Sequence, residues 1–220
     1  MYYNHLSSAK GSVDKKNSSN SLNDIRLYGK KFGDKVIWSG ELDYSRRRFN
    51  YYGYEDTLGI EANDKGVRDS IKQVYNQVQA KIGFKQYDTS NVFNYDVKLG
   101  FGNISDINKS KEMEITANMD LSYKLTQAEI IMPTDVYLTS YKNGNIDQGR
   151  NFINATPQYK KVREGKFIYQ LGFNFNYEND DYPDHKNVHL YPVLKGSYVI
   201  NQTTGMNLLA GVEGLSLIHI

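Results

Sequence analysis

The stretch "NDDYPDH" puts three carboxylates and an imidazole, Asp180, Asp181, Asp184 and His185, in one short polar segment. Oxygen-rich sets of this kind hold hard cations such as calcium, but a built calcium loop places its ligands at fixed, alternating positions. That spacing is missing here, so the segment is read as a solvated loop and no metal is assigned. His5, His189 and His219 are scattered elsewhere. No serine stands in a nucleophile-elbow context, and neither an HExxH pair nor a phosphate-cradling glycine loop is present. The residues therefore offer no catalytic set and no cofactor site, and the expectation is that the chain is not an enzyme.

Binding chemistry is better supplied. "YSRRRFNYYGY" carries a run of arginines, and counting alternate positions on from Trp38, Leu42 and Tyr44 places Arg46 and Arg48 on the apolar side of a strand. Beyond the next link, Arg68 and Lys72 fall at similar height above Val74. Cations just above an apolar band suit lipid phosphates, including those of lipopolysaccharide, and they equally suit plain solvation. A second set, Asn94, Asp96, Lys98, Asn118, Asp120, Gln170 and Asn174, stands between apolar residues on other strands and is expected to line a watery interior. "GFG" at 100–102 marks a bend or a close approach of backbone.

The elements that position these residues are strands. "VFNYDVKLGFG" alternates Phe93, Tyr95, Val97, Leu99 and Phe101 with Asn94, Asp96, Lys98 and Gly100. "MEITANMDLSYKL" and "KFIYQLGFNFNYE" repeat the pattern, as do the stretches around 36–45, 74–85, 188–200 and 206–212, where Asn76 is the one lapse. A period of two with no helical period predicts an all-β chain of about ten strands. The breaks fall near 7–20, 33–34, 55–66, 88–91, 104–110, 126, 142–148, 163–165, 179–186 and 201–204, and long polar links alternate with tight turns.

Composition narrows the setting. A net charge of +2 is far from that of a nucleic-acid binder, so nucleic acid is not an expected partner. There are no cysteines, hence no disulfide framework and no thiolate chemistry. Tyrosine is abundant at 19 residues against a single tryptophan, which fits places where apolar matter meets water. No apolar run reaches the roughly 20 residues of a membrane-spanning helix.

Long alternating strands with sorted links are the pattern of an antiparallel up-and-down meander belonging to a transmembrane outer-membrane β-barrel. A soluble sheet or lipocalin-like barrel would explain the alternation, but not so many long strands joined by links of sorted length. With about ten strands of a larger barrel, the sheet is expected to be open.

On "HLSSAKGSVDKKNSSNSLNDIRLYGKKF" and "LDYSRRRFNYYGYED", the chain resembles the early barrel strands of outer-membrane receptors of the TonB-dependent type from Bacteroidetes. The resemblance covers most of residues 1–214 and implies a barrel of about 22 strands gated by an N-terminal plug. No plug is seen in these residues, so a periplasmic energy-coupling partner is expected only if one lies upstream. The final "LSLIHI", 215–220, resembles a translated sequencing adapter and is set aside as a non-native tail on a fragment. The expected function is a transporter, receptor or porin that passes or captures an unidentified solute across the bacterial outer membrane. The alternative is a barrel that only anchors surface loops for adhesion or assembly.

Overall fold

In a computed structural model, residues 1–8, 19–50, 71–163, 167–179, 187–201 and 206–214 are described. They form one antiparallel sheet of twelve strands, in which neighbours in sequence are neighbours in space. The strands are β1 (Tyr2–Ser8), β2 (Asn20–Phe32), β3 (Val36–Asn50), β4 (Lys72–Gln86), β5 (Phe93–Asp106) and β6 (Lys111–Lys124), followed by β7 (Ala128–Asn143), β8 (Ile146–Ala155), β9 (Gln158–Arg163), β10 (Phe167–Glu178), β11 (Val188–Asn201) and β12 (Met206–Glu213). Among the described residues no helix is long and apolar enough to cross a membrane, and β1 and β12 lie at the two edges of the sheet. The expectation of an all-β antiparallel meander holds, with somewhat more strands than the alternation alone resolves.

One of the additional strands has a local cause. β8 and β9 both lie between β7 and β10 in a single unbroken register, with Thr134 opposite Ala155 and Ile131 opposite Gln158. They are two parts of one lane, interrupted at Thr156 and Pro157, because proline has no N–H to give to the ladder. The remaining donors still bond across the same register: Thr156 N donates to Pro133 O at 2.9 Å, and Phe173 N to Pro157 O at 3.3 Å. Gly172 sits against this interruption so closely that a Cβ there would overlap the Pro157 carbonyl and Gln158, so only glycine fits without moving backbone.

Two links expected to be long are tight hairpins instead. Around 104–110, β5 continues to Asp106 and β6 begins at Lys111. Asp106 closes the turn: its carboxylate accepts Ser110 N at 2.8 Å and its N–H reaches Ser110 O at 3.1 Å, while Lys109 takes a left-handed φ of 69°. Around 142–148, Gly144 at φ 57° turns the chain between β7 and β8, and Lys142 meets Asp147 at 2.8 Å. Polar, charged residues mislead here because strand ends that project past an apolar band carry the same residue types as loops. The sorting of links survives in a weaker form. The strand ends that flank 9–19, 51–71 and 179–187 lie on one rim with these two hairpins, and the described links of the opposite rim are short turns. One of those, at 87–92, is organised by Asp88, whose carboxylate accepts Ser90 N at 2.8 Å and is held below its usual range by the hydrogen bonding of Ser90.

Candidate functional site

Directly opposed residues on neighbouring strands point to the same side of a sheet, so the register defines its two faces. One row of partners runs Leu27, Leu42, Ala80, Phe101, Ile115 and Leu138 from β2 to β7. Another runs Ile82, Leu99, Ala117, Val136, Ile153 and Tyr177 from β4 to β10. Leu171, Leu194 and Val212 carry the same face to β12. The greasy sides of separate strands thus form one continuous surface, and no other layer of the described residues covers it.

Burial is inverted relative to an ordinary soluble domain. Ile82, Leu190 and Leu208 are 56%, 63% and 62% exposed, whereas among the most buried side chains are Asn176 at 1% and Asn174 at 6%. Water-soluble proteins place large aliphatic groups inside and leave amides outside. Here amides are packed on the inner, polar face, together with Val193 at 0% exposure, while most of the large aliphatic groups face outward.

The outward face has two dissimilar borders. At the rim of short turns it ends in rings: Trp38 and Phe84 lie 5.9 Å apart, Phe84 and Tyr95 6.2 Å, and Tyr95 and Phe93 6.2 Å. Phe93 opposes Tyr123, and farther round Tyr159, Tyr169 and Phe167 continue at 6.4 and 6.0 Å to Tyr198 opposite Phe167. At the other rim the face ends in polar and cationic groups. Arg46, Arg48 and Lys72 lie there, on the apolar side of β3 and β4, as their parity predicts; Arg68 is outside the described residues. Asn76, the apparent lapse in the alternation of β4, stands opposite Arg46 and accepts a hydrogen bond from the Tyr44 hydroxyl at 3.5 Å. It belongs to this border and is no fault in the band. Lys111 and Lys142, which oppose each other on β6 and β7, extend the border. They were hidden from sequence inspection by their placement at what looked like loops.

On the polar face, all seven candidate lining residues share one side of the sheet, but they fall in two groups. Asn94, Asp96, Lys98, Asn118 and Asp120 are together on β5 and β6; Gln170 and Asn174 lie lanes away on β10. Asp96 directly opposes Asp120, an unfavourable pairing eased by Lys85, whose ammonium lies 2.9 Å from Asp96. Asn118 donates to Asp135 at 2.6 Å. Arg26 bridges Asp43 at 2.6 Å and Glu41 at 3.5 Å on the same face.

Asn174 is not an open lining group. Its Oδ1 accepts from Asn154 Nδ2 at 2.6 Å and from Asn176 Nδ2 at 3.2 Å, and Asn154 also donates to Asn176 at 2.6 Å. These three amides form a closed knot beside the Pro157 interruption. The sequence offers only their shared parity as a sign of it, because their contact depends on the register of β8 against β10.

The same face holds a hollow of about 760 Å³ near the long-link rim. Glu112, Glu114, Asp135, Tyr137, Tyr141 and Phe152 are among its walls. None of them had been singled out as a binding residue. Asp180, Asp181, Asp184 and His185 of the acidic segment lie outside the described residues, and no cluster able to hold a metal ion occurs among the described ones. No protein-family model matches the chain, and no curated protein matches it either.

Proposed function

We propose that the chain forms wall of a bacterial outer-membrane β-barrel, with its apolar face against lipid and its polar face lining the route or capture site of a solute. The observation that carries this reading is the inverted burial: a continuous, exposed aliphatic face backed by packed amides. Its dimensions agree. Membrane-crossing strands need about 9–11 residues, and a barrel's apolar band is about 25 Å tall and flanked by aromatic residues. The outward apolar runs Phe93–Phe101 on β5, Met113–Tyr123 on β6 and Phe167–Tyr177 on β10 have that length, and the rings from Trp38 to Tyr198 supply one flank. The resemblance to receptors of the TonB-dependent type extends the proposal to active uptake, with a periplasmic energy-coupling protein as partner if a plug is present.

Folding should therefore require an amphiphile. Diluted from urea into detergent micelles or phospholipid vesicles, the chain is expected to gain a β-sheet circular dichroism spectrum, and in plain buffer it should aggregate. A stable, soluble, monomeric β-protein in plain buffer would contradict the reading.

The cationic border leads to a second expectation. Arg46, Arg48, Arg68 and Lys72 all changed to Gln should reduce co-purifying lipopolysaccharide while leaving the sheet folded, since exposed charges add about 0–1 kcal/mol each to stability. Unchanged lipopolysaccharide would mean that these groups are simply solvated. The strand ends flanking the long links 9–19, 51–71 and 179–187 lie at one rim, which favours the alternative of a loop-presenting anchor; it shares the lipid-facing surface but predicts no solute site on the polar face.

A further inference from the structure

The hollow on the polar face is built from rows of opposed residues on β6, β7, β8 and β10. Glu112 opposes Tyr141, and Tyr141 opposes Gln148. One step deeper, Glu114 opposes Thr139, and Thr139 opposes Arg150. Deeper again, Tyr137 opposes Phe152, and Phe152 opposes Glu178; the Tyr137 and Phe152 rings are 6.1 Å apart and tilted by 41°. Asp135 and Asn154 form the next row, where the amide knot closes the floor.

Three properties bear on what fits there. The volume, about 760 Å³, lies within the roughly 300–1,000 Å³ of small-molecule sites. Among the described residues the walls carry the carboxylates of Glu112, Glu114, Asp135 and Glu178 and the guanidinium of Arg150; Glu178 lies 3.7 Å from His189 Nε2 and Asp135 accepts from Asn118. Two of these carboxylates, Glu112 and Glu114, make no hydrogen bond or ion pair among the described residues, and both are half-buried beside aromatic rings. Neighbouring carboxylates that lack cations of their own, set beside ring faces, attract a positive charge attached to an apolar body, through ion pairing and cation–π contact together.

We propose that this hollow binds an organic cation, with an ammonium group held between Glu112 and Glu114 and the carbon chain lying against Tyr137, Tyr141 and Phe152. A neutral sugar would use the rings and amides but would leave the carboxylates of Glu112 and Glu114 unanswered, and an anion would be repelled by them. The proposal rests on the reading of the polar face as the solute side, and it does not require that the chain transport anything.

The test is calorimetric titration of the full chain, folded in detergent micelles, with spermidine as the cation, maltotriose as the neutral probe and citrate as the anion. Saturable binding of spermidine alone is expected. The double variant Glu112→Gln, Glu114→Gln should weaken it about tenfold or more, as the loss of a partly desolvated charge pair does. Tyr141→Leu should weaken it while leaving every carboxylate in place, and Glu129→Gln, on the same face but outside the hollow, should not. Retained circular dichroism shows that a variant has folded, and Glu114→Gln alone serves if the double variant has not. Preference for maltotriose or citrate, no binding of spermidine, or equal weakening by Glu129→Gln overturns the proposal. A chain that enters vesicles but ignores spermidine removes this inference only, and one that binds spermidine yet folds in plain buffer removes only the membrane reading.

Discussion

Leu99→Arg or Phe173→Arg should prevent most of the chain from folding into phospholipid vesicles, while Asn118→Arg should fold nearly as the parent does. Leu99 and Phe173 are 40% and 45% exposed in the middle of the outward band, away from both borders. An arginine at the bilayer midplane on a barrel's outer face costs about 2–4 kcal/mol, enough to shift the folded fraction by one to three orders of magnitude. Asn118 is one strand from Leu99 but on the opposite face, between Lys98 and Asp135. An arginine there keeps a carboxylate partner in Asp135 and stays in a polar setting. Folding yield in vesicles, read by protease resistance, checks the contrast. Equal damage by Leu99→Arg and Asn118→Arg would mean that both faces are buried in protein.

Asn154→Leu should destabilise the folded state by about 2–3 kcal/mol, because it removes the donor shared by two buried amides and leaves the Asn176 oxygen without its partner. At 1% exposure, Asn176 cannot turn to water for a replacement. Gln148→Leu, on the same strand and face but exposed, should change stability by less than about 0.5 kcal/mol. The midpoint of urea unfolding in micelles measures both. A loss for Asn154→Leu no larger than that for Gln148→Leu would mean that the amide knot opens to water and contributes no packing.

The fold was legible because a period of two is visible within each strand, and a one-residue slip in pairing would send an entire apolar set to the wrong face. Once the outward side of one strand is known, the rest of the sheet has little choice. Thus Arg46, Arg48 and Lys72, placed by parity alone, stand where the alternation put them. What lies across strands was not legible. Glu112 and Tyr141 are distant in sequence and meet only through the hairpin of β6 and β7; Asn154 and Asn176 meet only because β8 and β10 are paired. The interruption at Pro157 was missed because the lane keeps its register on both sides of the proline, so the apolar alternation shows no shift there. The hairpins at 107–110 and 144–145 were read as longer loops because a strand that rises past the apolar band loses its alternation before it loses its hydrogen bonds.

The central claim, that the outward face meets lipid, can be tested at one residue. Trp38 is the only tryptophan of the chain, it is 53% exposed on the apolar face, and it stands in the ring of aromatic residues beside the short-turn rim. Its fluorescence, with the chain folded in vesicles, should be quenched strongly by phospholipids brominated on their acyl chains near the headgroup. Bromines placed near the bilayer centre should quench it less, and aqueous iodide should quench it little. Strong quenching by iodide with none by any brominated lipid would place Trp38 in water and contradict the account.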